Sequence, residues 1–112
     1  MDSVNTDALS DMTEAVAAFH RKHEFRERGG EDLIYRVALM AEELGEIAAC
    51  VSKGKPREDL EEECADLFIL LIGTAVSGNF DLAQAFWKKM SALERRGSRM
   101  VNGRVRITRQ PE

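Results

Sequence analysis

The spacing of apolar residues along the chain predicts four helices separated by short polar breaks. Leu9, Met12, Val16 and Phe19 recur at three- and four-residue steps, the spacing that lines one face of an α-helix. A first helix is expected over residues 6–25, with Ser3, Thr6 and Asp7 as candidate caps. The segment RERGG at 26–30 should end it, because paired glycines supply a left-handed turn. Leu33, Val37, Met40, Leu44, Ile47 and Val51 form a second stripe over 32–52, closed by Gly54 and Pro56. Leu60, Cys64, Leu67 and Leu71 mark a third helix over 57–77, and Gly78-Asn79 turns the chain. Leu82, Ala85, Phe86, Met90 and Leu93 mark a fourth over 81–96, with Asp81 as its cap.

The third helix loses its polar face after Asp66: residues 67–72 read LFILLI. A helix that is apolar all round is buried all round, and a 112-residue chain has few elements with which to surround one. The expectation is a four-helix, all-α bundle completed by oligomerisation, as a homodimer or homotetramer. Beyond Gly97 the pattern changes. Residues 100–107 read MVNGRVRI, with Asn102-Gly103 between alternating residues, a short-range hairpin signal. The expected organisation is a helical domain over 1–96 and a short basic extension over 97–112.

Composition narrows the class. With 44% hydrophobic and 32% charged residues the chain is neither disordered nor membrane-spanning, and no apolar run reaches the ~18 residues that a span needs. The opening MDSVNTDALSD carries acids and no apolar core, so no secretory signal and a cytoplasmic location are expected. Cys50 and Cys64 lie fourteen apart, which suits neither a metal knuckle nor a disulfide framework. The net charge of −4 hides an asymmetry: −9 over residues 1–94 and +5 over 95–112. An acidic body makes nucleic acid an unlikely partner for the chain as a whole.

The chemistry-bearing residues are acids. The second helix carries Glu42-Glu43-Leu44-Gly45-Glu46 and the third carries Glu61-Glu62-Glu63-Cys64-Ala65-Asp66. Glu43 and Glu46 are three apart, as are Glu63 and Asp66, so each pair shares a helix face about 4.5 Å apart along the axis. Both pairs flank their apolar stripe on the same side. A short break makes the two helices antiparallel neighbours, which can bring the four carboxylates together. Such a cluster persists only by taking up protons or cations. Oxygen-only ligands suit hard ions, chiefly Mg²⁺ or Mn²⁺. Asp66, abutting the apolar run, is the acid least explained by solubility. Gly45 weakly supports a close approach, since glycine within a helix costs about 1 kcal/mol relative to alanine.

These motifs resemble the MazG-like all-α nucleoside triphosphate pyrophosphohydrolases. The resemblance rests on AEELGEIAA at 41–49 and EEECADLFILL at 61–71, which follow that family's E-E-x-x-E and E-x-x-D pattern, and it spans roughly residues 19–96. It implies that Glu43, Glu46, Glu63 and Asp66 bind Mg²⁺ and serve catalysis. The implied reaction cleaves a nucleoside triphosphate between its α and β phosphates, giving a monophosphate and pyrophosphate. It further implies dimers or tetramers. Lys89 and Arg96 match family positions that contact substrate, whereas Leu93 stands where the family often has asparagine. Related folds act on phosphoribosyl-ATP, a second candidate substrate. A non-enzymatic helical interaction module is the third reading.

Other residues have plainer expectations. Lys88, Arg95 and Arg99 suit phosphate or the helix dipole. Arg104, Arg106 and Arg109 suit nucleic acid or, preferably, the acidic surface of another subunit. His20 and His23 read as surface or dipole partners. Phe19, Phe25, Tyr35 and Trp87 read as core aromatics before base-stacking ones, and Cys64 as a small buried residue.

Overall fold

The computed structural model describes residues 8–111. It contains four helices, α1 (Ala8–Lys22), α2 (Leu33–Ser52), α3 (Arg57–Gly78) and α4 (Leu82–Leu93), then two strands, β1 (Arg96–Val101) and β2 (Arg104–Pro111). The four expected helices and the expected hairpin are all present, in a mostly helical fold. The chain forms two compact units, Met1–Phe80 and Asp81–Glu112. No single helix among the described residues is long and apolar enough to cross a membrane.

Local chemistry sets most of the helix ends. Asp32 caps α2, its side chain accepting from the Ile34 amide at 3.2 Å, and Asp81 caps α4 by accepting from the Gln84 amide at 3.0 Å. Asn79, in the left-handed region at φ 57°, closes α3. The caps expected at Ser3, Thr6 and Asp7 lie outside the described residues. Helix α1 stops at Lys22, short of the expected Phe25. Gly29 supplies a left-handed turn further on, at φ 85°, but the left-handed residue at the helix end is Glu24, at φ 55°. It lets Phe25 fold back, its amide bonding the His20 carbonyl at 2.9 Å and its ring stacking on the imidazole at 4.4 Å. Helix α4 likewise ends at Leu93, so Arg96 opens a strand instead of closing a helix.

Within the first unit, α3 packs against both α2 and α1. Its enclosed centre mixes apolar Val16, Cys50, Ile72 and Ala75 with polar His20 and Arg36. Arg36 is only 2% exposed. Its Nε donates to Thr74 Oγ1 at 3.1 Å, Nη1 to the Gly30 carbonyl at 3.0 Å and Nη2 to the Leu70 carbonyl at 3.1 Å. Burial lowers its pKa, and the nearby Glu31 charge offsets part of that. His20 is buried beside it, with Nδ1 2.8 Å from Glu31 Oε2, which corrects the expectation of a surface histidine. Gly73 allows this crowding, because a Cβ there would sit 2.9 Å from His20 Nε2 and closer still to the Arg36 guanidinium.

This hub turns α2. Its buried residues are Arg36 and Cys50, whereas Leu33, Val37, Leu44 and Val51 of the expected core stripe are exposed. One residue step rotates a helix position by roughly 100°, so the inward face runs through Arg36, Glu43 and Cys50 and takes in only the half-buried Met40 and Ile47 of the expected stripe; Met40 Sδ accepts from Thr74 Oγ1 at 3.9 Å, while the other four look out. On α3, Ile72, Gly73 and Ala75 are buried but Phe68, Ile69 and Leu71 are each more than 40% exposed. The single chain leaves the apolar run only partly covered.

Candidate metal centre

Antiparallel packing of α2 on α3 follows from the contacts themselves: Arg36 meets Leu70 and Thr74, while further along α2 Glu43 meets Glu63 and Asp66. The inward rotation of α2 carries Glu43 into this seam. One carboxylate oxygen from each of Glu43, Glu63 and Asp66 lies within 4.8 Å of the others. Glu43 and Glu63 are half-buried and Asp66 is exposed, so the cluster opens to solvent on the Asp66 side.

The electrostatics of the trio centre on Glu43. Its Oε1 is buried without a hydrogen-bond partner, since the groups facing it are acceptors. Its pKa is pushed from the ordinary 4.5 up to about 7. The largest cause is Glu63, to which Glu43 can hydrogen-bond only when it carries the proton. Burial follows, then the negative charges of Glu63 and Asp66, and finally the same proton-dependent bonding toward Asp66. A divalent cation satisfies the same orphaned oxygen and the same crowded charge, so the residues present fit a hard metal ion.

Glu46 is not one of the three acids whose oxygens lie within 4.8 Å of one another; it is exposed, one turn beyond Glu43. It still acts on this seam. Burial raises the pKa of the Cys50 thiol first; Lys55 lowers it, and Glu63, Asp59 and Glu46 raise it further. Cys64 is exposed rather than buried. Gly45 faces open space, with nothing within 4 Å of a Cβ built there, so no close approach within the chain explains it. Glu42, Glu61 and Glu62 are exposed, as expected of solvated acids.

Sequence reasoning took the aromatics of the α1–α2 region for core, but the structure leaves them on a cleft. Phe19, His23, Phe25, Arg28, Tyr35 and Leu39 line a hollow of about 730 Å³. Phe19 and Tyr35 are each half exposed. Leu39 precedes Glu43 by one helical turn, so the hollow and the trio occupy successive turns of α2. Gly30, where a Cβ would sit 2.8 Å from the Phe25 ring, leaves room for that side chain and was the available sequence signal.

The family model of the MazG nucleotide pyrophosphohydrolase domain matches residues 34–100. The chain belongs to this family. The matched segment spans more than half of the chain and includes all four candidate acids together with Lys89 and Arg96. No curated protein and no solved structure gives a significant match. Membership supports nucleotide pyrophosphohydrolase activity in general, in a family that is generally dependent on divalent metal. In the MazG fold seen here the acidic motif of α2 and that of α3 meet at Glu43, Glu63 and Asp66. Lys89 is exposed on α4 and Arg96 is half-buried at the start of β1.

Proposed function

We propose that this protein is a Mg²⁺-dependent pyrophosphohydrolase of ribo- or deoxyribonucleoside triphosphates, releasing a monophosphate and pyrophosphate and serving to cleanse the nucleotide pool. The observation that carries this reading is the Glu43–Glu63–Asp66 trio around an unpartnered buried oxygen. Those three residues would hold the cation, with Glu46 as the fourth oxygen donor that the family pattern assigns. Mn²⁺ suits the same donors. The cation supplies neutralisation of the triphosphate charge and a lowered pKa for bound water. Glu43 must shed its proton before it can act as a ligand, which couples metal loading to pH near 7. The aromatic cleft one turn away offers a wall against which a nucleobase can stack. Lys89 and Arg96 are the candidate contacts for the phosphate chain. Phosphoribosyl-ATP is the alternative substrate for the same acids.

We further propose a homodimer or homotetramer as the working form. The exposed stripe of α2 and the exposed flank of α3 are the surfaces that support it.

The test is pyrophosphate release by purified protein with Mg²⁺, across a panel of nucleoside triphosphates, deoxynucleoside triphosphates and phosphoribosyl-ATP. Release from at least one nucleoside triphosphate is expected. Glu43→Gln and Asp66→Asn should each lower kcat about 100-fold or more while far-UV circular dichroism stays unchanged. Absence of release from every compound, or release indifferent to both substitutions, overturns the reading.

A further inference from the structure

The second compact unit, Asp81–Glu112, holds eight Lys and Arg against three Asp and Glu. None of the eight forms an ion pair with a described residue. The hairpin orders part of this charge. Its register sets Arg99 directly opposite Arg106 and Val101 opposite Arg104. Strand alternation then places Arg99, Arg104 and Arg106 on one face of the ribbon, with Met100, Val105 and Ile107 on the other. All three arginines are exposed.

Like charges directly opposite each other destabilise a strand pair, and a two-stranded ribbon is marginal to begin with. The arginine face therefore works against the element that displays it, and a bound polyanion relieves the conflict. Arg104 and Arg106 sit two residues apart on one strand, about 7 Å along it. That is wider than the separation of neighbouring phosphates in a triphosphate and close to that of successive phosphates in an extended nucleic-acid strand. Planar guanidinium forks match phosphate oxygens. Strand β2 also lies beyond the matched segment 34–100, so the family fold does not account for it. In the same unit α4 exposes Phe86 and Trp87, ring centroids 5.0 Å apart, surfaces of the kind on which unpaired bases stack.

We propose that the arginine face of the hairpin binds the phosphate backbone of single-stranded nucleic acid, through residues other than the acidic trio. The sequence favoured a subunit contact for Arg104 and Arg106 and phosphate or the helix dipole for Arg99; the paired register and the phosphate-like spacing favour a strand. The acidic remainder of the chain limits binding to this face and makes it steeply salt-dependent.

The experiment is fluorescence anisotropy of a labelled 20-residue oligo-dT with the full-length protein. Three phosphate contacts on a single strand give a log–log salt slope of about −2, so affinity should fall about 18-fold between 50 and 200 mM NaCl. Replacing all three by glutamine (Arg99→Gln, Arg104→Gln, Arg106→Gln) should weaken binding about tenfold or more at 50 mM NaCl and flatten the slope. Far-UV circular dichroism of this variant should match the unaltered chain, which establishes that the body is folded. Replacing all three by lysine should keep the slope. Arg99→Thr should weaken oligonucleotide binding and at the same time slow amide exchange in the hairpin, because it removes the facing charge; a merely structural arginine would not separate the two. The proposal is overturned by absence of binding at 50 mM NaCl or by unchanged binding in the glutamine variant. It is equally overturned if tripolyphosphate displaces the oligonucleotide at equal phosphate concentration. Loss of self-association in the glutamine variant, with oligonucleotide binding intact, assigns the face to a second copy instead.

Discussion

Glu43 ties the fold to the proposed chemistry, and its titration makes that link measurable. Below pH 4.5 the group is protonated in both folded and unfolded chains. Between 4.5 and about 7 only the folded chain retains the proton, so this group's contribution to stability declines as pH rises through that window and levels off above it. Thermal melts in EDTA should therefore show a decline from pH 5 to 7 that Glu43→Gln flattens. Adding a divalent cation at pH 7.5 should reverse it, by about 2.7 kcal/mol at one hundred times Kd. Two glycines give a second pair of outcomes at this scale. Gly73→Ala pushes a methyl into His20 and Arg36 and should cost about 1–3 kcal/mol in denaturant unfolding. Gly45→Ala meets nothing within the chain and should gain up to about 1 kcal/mol. A loss of activity or of self-association in Gly45→Ala would show that substrate or a second copy approaches there.

At the scale of elements, α2 has two working faces, and only one was recognisable in advance. The apolar spacing correctly marked the helix and its cap at Asp32, and the acids were rightly placed to one side of the stripe. The inward face was assigned to the stripe because apolar residues ordinarily seek the core. Arg36 shifts that face to one side, keeping Met40 and Ile47 half-buried and turning Leu33, Val37, Leu44 and Val51 out. Its guanidinium reaches carbonyls and a hydroxyl separated by up to 38 residues in sequence, and no periodicity rule anticipates a satisfied buried arginine. The same contacts bury His20 against Glu31. Arg36→Met should destabilise the first unit by about 3 kcal/mol, since it strands buried carbonyls without donors; urea unfolding measures this. Arg36→Lys should recover little of the loss, because one ammonium cannot replace a planar fork. The hairpin was legible for the opposite reason. Asn102 at φ 52° and Gly103 at φ 79° adopt the left-handed turn that their sequence encodes locally.

At the scale of the whole molecule, the exposed apolar residues of α2 and α3 are the open account. Leu33, Val37, Leu44 and Val51 share one side of α2 and remain more than 45% exposed. Val37→Glu combined with Leu44→Lys should convert an oligomer into a monomer in light scattering while leaving the trio in place. A native chain that is already monomeric at micromolar concentration would remove the oligomeric proposal.

The sequence by itself determined the number of helices, the turn chemistry between most of them and the identity of the clustered acids, because periodicity, caps and turn residues act over a few neighbours. It also determined membership of the MazG family through two short acidic motifs. Tertiary structure alone decided which of those acids meet. Glu43, Glu63 and Asp66 converge because α2 packs on α3 through contacts such as the buried guanidinium bonding across three segments, between residues far apart along the chain.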